Sequence, residues 1–350
     1  MTKSVTMLRV HYWIFIIASL YLLSCGSPDA VVEVQEEDAK SSIFDAIYET
    51  EMSALTLSGD LSHLVDEIPL DSNSKEQYFP ASLTIGENKF GPIELPLRIA
   101  KRGVTRKSIC DFPPIKFKFD EDTLLTKGYS RWNTYKIVTH CIPNGNDYVV
   151  SEFLAYRIYN YLTNNSFRVK LVMMNYDDNS KRLMNIMDDS IHLGFIIEED
   201  EELAYRRKAE LYEGDIKNID RKQYAQMVVF QYMIGNTDWN LGKGHNIKWI
   251  QQEGVSSPTP LPYDFDFCGL VDVPHAAPHP SIPIKTVTER FLQWRGKTKD
   301  ELQGICKEMI KNKEDILDIV RDETHLTAKK KKELLAYLNS FFDQIEDKGI

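Results

Sequence analysis

Between Asn236 and Asp266 the chain carries Asp238, Asn246, Asp264 and Asp266, each at a junction between an apolar run and a turn. Two carboxylates with an amide between them, in that order, meet the needs of phosphoryl transfer. One aspartate orients an acceptor hydroxyl, while an asparagine and a strand-end aspartate hold a divalent cation over the phosphates. Hard oxygen donors of this kind suit Mg2+ or Mn2+. The elements that must position them can be read on either side. Tyr224, Met227, Val228, Gln231 and Ile234 recur at helical spacing and predict a helix over 220–234 that delivers the loop Gly235-Asn236-Thr237-Asp238. His245-Asn246 then opens a short strand, a polar turn covers 251–260, and a second strand runs into Tyr263-Asp264-Phe265-Asp266. The alternative reading of the same stretch is a solvated loop followed by an acidic turn.

Upstream, Arg98 to Ser108 is a basic loop that includes Arg102-Gly103 and lies between two alternating segments, 93–97 and 114–119. Such a loop either covers phosphates or forms a solvated hairpin tip. Lys118, flanked by Phe117 and Phe119, could present a point charge to a triphosphate, with Lys116 and Lys136 as rivals. Val149, Val150, Phe153, Leu154, Ile158 and Leu162 predict a helix over 146–162. Glu152 near its start either pairs with the strand lysine or serves the helix dipole. Residues 168–174 and 193–199 read as strands, the second as a hinge. Residues 199–213 read as a charged helix, and 42–57 as either a helix or a strand. Beyond Gly269, helices are expected over 287–294, 298–311, 313–322 and 327–346, with His275 and His279 in a surface loop.

The 350 residues are 43% hydrophobic with a formal net charge of −10, which supplies a sizeable core and argues against a nucleic-acid partner. At the N-terminus Lys3 and Arg9 precede the apolar run Tyr12 to Leu23, short for a spanning helix and the right length for a signal segment, the alternative being an ordinary N-terminal membrane anchor. It ends Leu22-Leu23-Ser24-Cys25-Gly26, which resembles the lipobox of bacterial lipoproteins. This implies a signal peptide over 1–25, lipid on Cys25, an acidic tether over 26–44, and residence in the cell envelope, at the periplasmic face or outer membrane. Cys110, Cys141, Cys268 and Cys306 then allow three pairings, or stand as free buried thiols.

Several stretches together resemble the spore-coat CotH-like kinases: Arg102-Gly103 with the Lys116-Phe117-Lys118-Phe119 strand, Ser151-Glu152-Phe153-Leu154-Ala155-Tyr156, Leu193 to Glu198, Gly235-Asn236-Thr237-Asp238-Trp239 with His245-Asn246, and Pro262-Tyr263-Asp264-Phe265-Asp266. The resemblance implies an α+β, two-lobed, protein-kinase-like fold with a strand-rich N-lobe over 45–200 and a helical C-lobe over 201–350. It implies transfer of the γ-phosphate of ATP, with Mg2+ or Mn2+, to a protein or small-molecule hydroxyl. Asp238 would be catalytic. Lys118, Glu152, Arg102 and Gly103 would serve the nucleotide, and Asn246, Asp264 and Asp266 the metal. The alternative is a pseudokinase-type binding lipoprotein. This chain departs from the family pattern in carrying Val104-Thr105-Arg106 after Arg-Gly, and Tyr263 where the family has Trp.

Overall fold

Alternating apolar and polar residues build the first half of the protein. In β1 (Ser53–Gly59), β2 (Phe79–Ile85), β3 (Ile93–Lys101), β4 (Ile115–Phe119) and β5 (Thr134–Val138), side chains such as Leu55, Leu57, Leu83, Leu95, Ile99, Ile115 and Phe117 are buried on one face. Side chains point to opposite faces with period two, so one face must cover a core. The computed structural model describes residues 40–50, 52–66, 76–86, 91–103, 106–183, 191–214, 216, 218–296 and 298–350. The expected signal segment, Cys25 and the tether up to residue 39 lie outside the described residues.

With β6 (Val169–Asp178) and β7 (Ile191–Ile197), the strands close into a barrel in the order β1-β2-β3-β4-β5-β7-β6. The seam is the parallel pairing of β1 with β6, Ser53 opposite Val172 through Gly59 opposite Asp178. Closure removes the sheet edges. The strand-rich half expected from the sequence is therefore a closed barrel, a shape that does not by itself identify a kinase lobe. Its interior is lined by Phe112, Phe117, Phe119, Tyr135, Met174 and the aliphatic residues above.

Residues 42–57 hold both elements that the sequence left open. The helix is α1 (Ile43–Tyr48), capped by Ser42 with a reciprocal bond from Asp45, and β1 follows it. Ser42, Ile43 and Phe44, the last residues of the expected tether, are buried. Two short helices interrupt the barrel strands: α2 (Arg106–Ile109), inside the basic loop, and α3 (Glu121–Thr126). The long α4 (Asn146–Leu162) is buried almost all round, as a helix wedged between layers must be. It lies against β6 and β7 on one side and against a later helix on the other.

The second half begins with α5 (Asp200–Arg206) and β8 (Ala209–Leu211), where the sequence predicted one charged helix over 199–213. Pairing of Ala209, Glu210 and Leu211 with the strand at Gln252–Ile250 outweighs local helix propensity. Then come α6 (Arg221–Met233), β9 (Ile247–Gln252), β10 (Thr259–Pro262), α7 (Asp300–Lys311), α8 (Lys313–Arg321) and α9 (Ala328–Asp347). α8 is the helix that meets α4. Residues 287–294 are not helical. Arg290 instead donates to the Met233 carbonyl (3.1 Å) and Gln293 to the Thr237 carbonyl (3.0 Å), so this segment splints the end of α6. Among the described residues no helix is long and apolar enough to cross a membrane. Cys110 and Cys141 form a disulfide, and Cys268 and Cys306 are buried thiols.

Candidate active site

The sequence folds two loops against each other at the end of α6. Gly235 leaves the helix at φ +67, a conformation that suits a residue without Cβ, and a Cβ there would collide with the Tyr337 hydroxyl. Gly269 faces the same hydroxyl, and its N–H donates to the Gly235 carbonyl (3.2 Å). This contact ties the loop that carries Asp238 to the turn that carries Asp264 and Asp266. Asn236 is buried and organises the first loop. Its side-chain amide donates to Gln231 (3.0 Å), its Oδ1 accepts the Asp238 N–H (2.9 Å), and its carbonyl accepts the Trp239 indole N–H (3.2 Å). Asn246, at φ +54, turns its amide back onto the Asp238 carbonyl (2.7 Å) and the Asp238 carboxylate (3.1 Å). His245 Nε2 meets the other Asp238 oxygen at 3.0 Å. A carboxylate held by an amide and an imidazole is fixed in orientation while remaining open to an acceptor.

The β9–β10 hairpin delivers the second loop, with Pro262 opposite Ile247. Asp264 sits at φ +62, a strained region that Asp tolerates better than most residues. Its N–H donates to the Tyr156 hydroxyl at 2.8 Å. Tyr156 and Glu152 are one helical turn apart on α4 and so share a face. The Glu152 carboxylate lies 3.5 Å from the Arg106 guanidinium. Arg106 in turn bonds Asp264 directly and Asp266 at 2.8 Å. Three acidic side chains therefore converge on one buried guanidinium.

Their protonation follows from that count. Burial pushes Glu152 up to about 8 despite Arg106, and pushes Asp266 up to about 7. Burial acts in the same direction on Asp264, but the guanidinium groups of Arg106 and Arg102 outweigh it and hold that carboxyl below its ordinary value. Asp264 thus keeps its charge beside Arg106, while Glu152 favours its protonated form near neutrality and Asp266 stands close to its midpoint.

A cleft of ≈500 Å³ opens in front of these groups, lined by Asp238, Asn246, Asp264 and Asp266 and by Arg102, Gly103, Arg106, Lys116, Lys136 and Lys248. Lys136 bonds Asp200 at 2.6 Å and lies over the Tyr263 and Phe167 rings, and Lys248 bonds Asp200 at 3.0 Å. Burial depresses Lys136, and Asp200 partly offsets that. Arg102 is buried, and among the described residues its Nη1 has no hydrogen-bond partner. A buried, unsatisfied guanidinium nitrogen is costly, and an anion in the cleft would relieve it.

Of the residues singled out from sequence, Asp238, Asn246, Asp264, Asp266, Arg102 and Gly103 line this cleft. Glu152 stands behind it, on Arg106. Lys118 does not line it. Lys116 and Lys118 both project from the outer face of β4, but Lys118 sits one pleat farther along, 5.7 Å from the Tyr78 ring centroid. Glu152 meets Arg106 in place of the expected strand lysine, and both rivals of Lys118, Lys116 and Lys136, line the cleft. Sequence reasoning passed over Arg106, Asp200, Lys248 and the role of His245. Arg106 lay within the basic loop, and the only available signal was its charge.

The acidic loop was also expected to hold a metal. In this arrangement the Asp264 and Asp266 carboxylates are engaged by Arg106. The residues as placed do not fit a divalent cation, because its position between the two acids is held by a guanidinium.

No family model matches the chain, and no curated protein matches it. Among solved structures, the crystal structure of a Helicobacter pylori proinflammatory kinase, CtkA, is similar at 11% identity and a TM-score of 0.34, over 67% of this chain and 88% of that one. This is a remote likeness, and the functional reading rests on the cleft alone.

Proposed function

We propose that this cleft binds a nucleoside triphosphate and transfers its terminal phosphoryl group to a hydroxyl of a protein or small molecule, with ATP as the donor. The observation that carries the reading is the convergence of Asp238, Asn246, Asp264 and Asp266 in one cleft with Arg102, Lys116, Lys136 and Lys248. These cations suit a polyphosphate. The Arg102 Nη1 would donate to a phosphate oxygen, and Lys136, already desolvated, would meet another. Asp238, held by Asn246 and His245, would orient the acceptor hydroxyl for in-line attack and take its proton. Phosphoryl transfer asks little covalent chemistry of a protein beyond positioning and charge neutralisation. Attachment at the cell envelope through lipidated Cys25 belongs to the same proposal.

A second reading has its own support. Arg106 engages the acidic pair, so a binding protein without turnover, of the pseudokinase type, accounts for the same cleft. The two are separated by incubating the purified chain with γ-labelled ATP and a generic hydroxyl acceptor. Asp238→Asn should retain nucleotide binding and lose transfer by ~10²–10⁴-fold, the usual worth of a positioned base. Nucleotide binding without transfer in the parent establishes the binding protein. Absence of both refutes the nucleotide reading.

A further inference from the structure

Asp238 belongs to two cavities. One is the ≈500 Å³ cleft described above; the other is ≈600 Å³, and Asp238, His245, Asn246 and Tyr263 line both. In-line transfer needs one site for the donor phosphate and another for the acceptor, and the two must meet at the residue that orients the hydroxyl. The second cavity meets the first at that residue.

Its lining differs in charge from that of the nucleotide cleft. Arg102, Arg106, Lys116, Lys136 and Lys248 line the first cavity and are absent from the second. Among the described residues that line the second, Asp238 is the sole carboxylate and Lys243 the sole lysine or arginine. The two stand at the base and the tip of one tight loop. Asn240 and His245 close that loop by exchanging backbone hydrogen bonds, at 3.0 and 3.1 Å, and the Lys243 N–H donates to the Asn240 side chain at 3.0 Å. Lys243 is exposed, between Gly242 and Gly244. A further wall comes from the proline-rich segment after Val273. There the His279 Nδ1 accepts the Ser281 hydroxyl (2.7 Å) and the Ser281 N–H (3.2 Å), so the neutral ring keeps its proton on Nε2 as a donor. Gln293, which also lines the cavity, is held on the Thr237 carbonyl at 3.0 Å.

We infer that this second cavity is the acceptor subsite and that it takes an extended peptide in which an acidic side chain accompanies the serine or threonine to be modified. The inference rests on the reading of the first cleft as a phosphotransfer site. With the acceptor hydroxyl on Asp238, the charge that remains in the lining is a cation, and no second carboxylate is left to receive an ammonium or guanidinium group. The loop separates the two charges, so the hydroxyl at its base and the carboxylate at its tip belong to different residues of the acceptor. In the transfer step the hydroxyl oxygen bonds to the terminal phosphorus of ATP, the bond from that phosphorus to the bridging oxygen breaks, ADP leaves, and the hydroxyl proton passes to Asp238.

The test uses the purified full-length chain in detergent at low salt and three fluorescent peptides. Each has one serine, flanked by glutamates, by alanines or by lysines. Anisotropy without nucleotide should show the acidic peptide bound about fivefold or more tighter than the basic one, the scale of one exposed ion pair. Lys243→Glu should reverse that order, and because Lys243 is exposed the variant should fold like the parent by circular dichroism. Added salt should shrink the preference. With γ-labelled ATP, label should appear on the serine of the acidic peptide, and Lys243→Glu should raise its KM. The inference is overturned if the three peptides bind alike, if none binds, or if Lys243→Glu leaves the order unchanged. Transfer of label to a generic acceptor without preference for the acidic peptide also overturns it, and leaves the phosphotransfer reading standing. Binding of the acidic peptide through Lys243 with no labelling does the reverse: the peptide site stands and the phosphotransfer reading falls.

Discussion

Glu152→Gln tests the charge count at the centre of the site. Three carboxyl groups share one guanidinium, and Glu152 is the most distant of the three, at 3.5 Å, with its Oε1 buried and, among the described residues, unpartnered. Burial raises it from an ordinary 4.5 to about 8, so the folded protein retains a proton there that the unfolded chain releases. A folded-state value above the unfolded one gives a contribution that is complete below the unfolded value and lost as pH rises through the folded one. Between about pH 5.5 and pH 8 this amounts to a fall on the order of 3 kcal/mol in unfolding free energy from Glu152 alone. Glutamine has the shape of the protonated acid and cannot ionise. Arg106 would keep Asp264 and Asp266, so no charge is stranded. Denaturant unfolding at the two pH values should show parent and variant nearly equal at the acidic end. At the basic end the variant should be the more stable by that margin. Asp266 and Glu202, raised to about 7 and about 8, should leave a residual slope in both proteins. Parallel loss of stability in parent and variant would refute the shared-guanidinium account.

Three further outcomes can be checked. Lys136→Ala should weaken nucleotide binding by about tenfold or more, as expected when a desolvated phosphate partner is lost, while Lys118→Ala should leave calorimetric affinity unchanged. Gly235→Ala should cost about 2 kcal/mol or more in thermal unfolding, since both the positive φ and the Tyr337 hydroxyl oppose a Cβ; adding Tyr337→Phe should recover part of it by relieving the collision. Cys25→Ser should release the protein from membranes or leave the precursor unprocessed on fractionation, and a variant that fractionates and migrates like the parent would remove the lipid anchor from the proposal.

Local signals announced much of this architecture. The period-two pattern of Lys116 to Phe119 dictates which side of β4 is buried, because consecutive side chains on a strand must face opposite ways. The apolar spacing of 146–162 and 220–234 specifies two core helices, and the polar turn at 251–260 between short apolar runs specifies the hairpin that carries Asp264. The order of Asp238, Asn246, Asp264 and Asp266 along the chain suggested a shared site, and the β9–β10 hairpin, whose strands are neighbours in sequence, brings Asn246 to Asp264.

What the sequence could not decide were the pairings between distant segments. Lys116, Lys118 and Lys136 have similar strand settings, and their roles depend on where the cleft falls across the barrel face. Arg106 reaches Glu152, Asp264 and Asp266 only because the basic loop folds onto the start of α4, where Cys110 also finds Cys141. Barrel closure rests on β1 meeting β6 in parallel, across more than a hundred intervening residues that no periodicity links. Residues 209–211 became a strand because β9 offered them an edge. Periodicity shows which face of an element is buried, whereas the choice of partner is a balance of contacts that exists only once the chain has closed on itself.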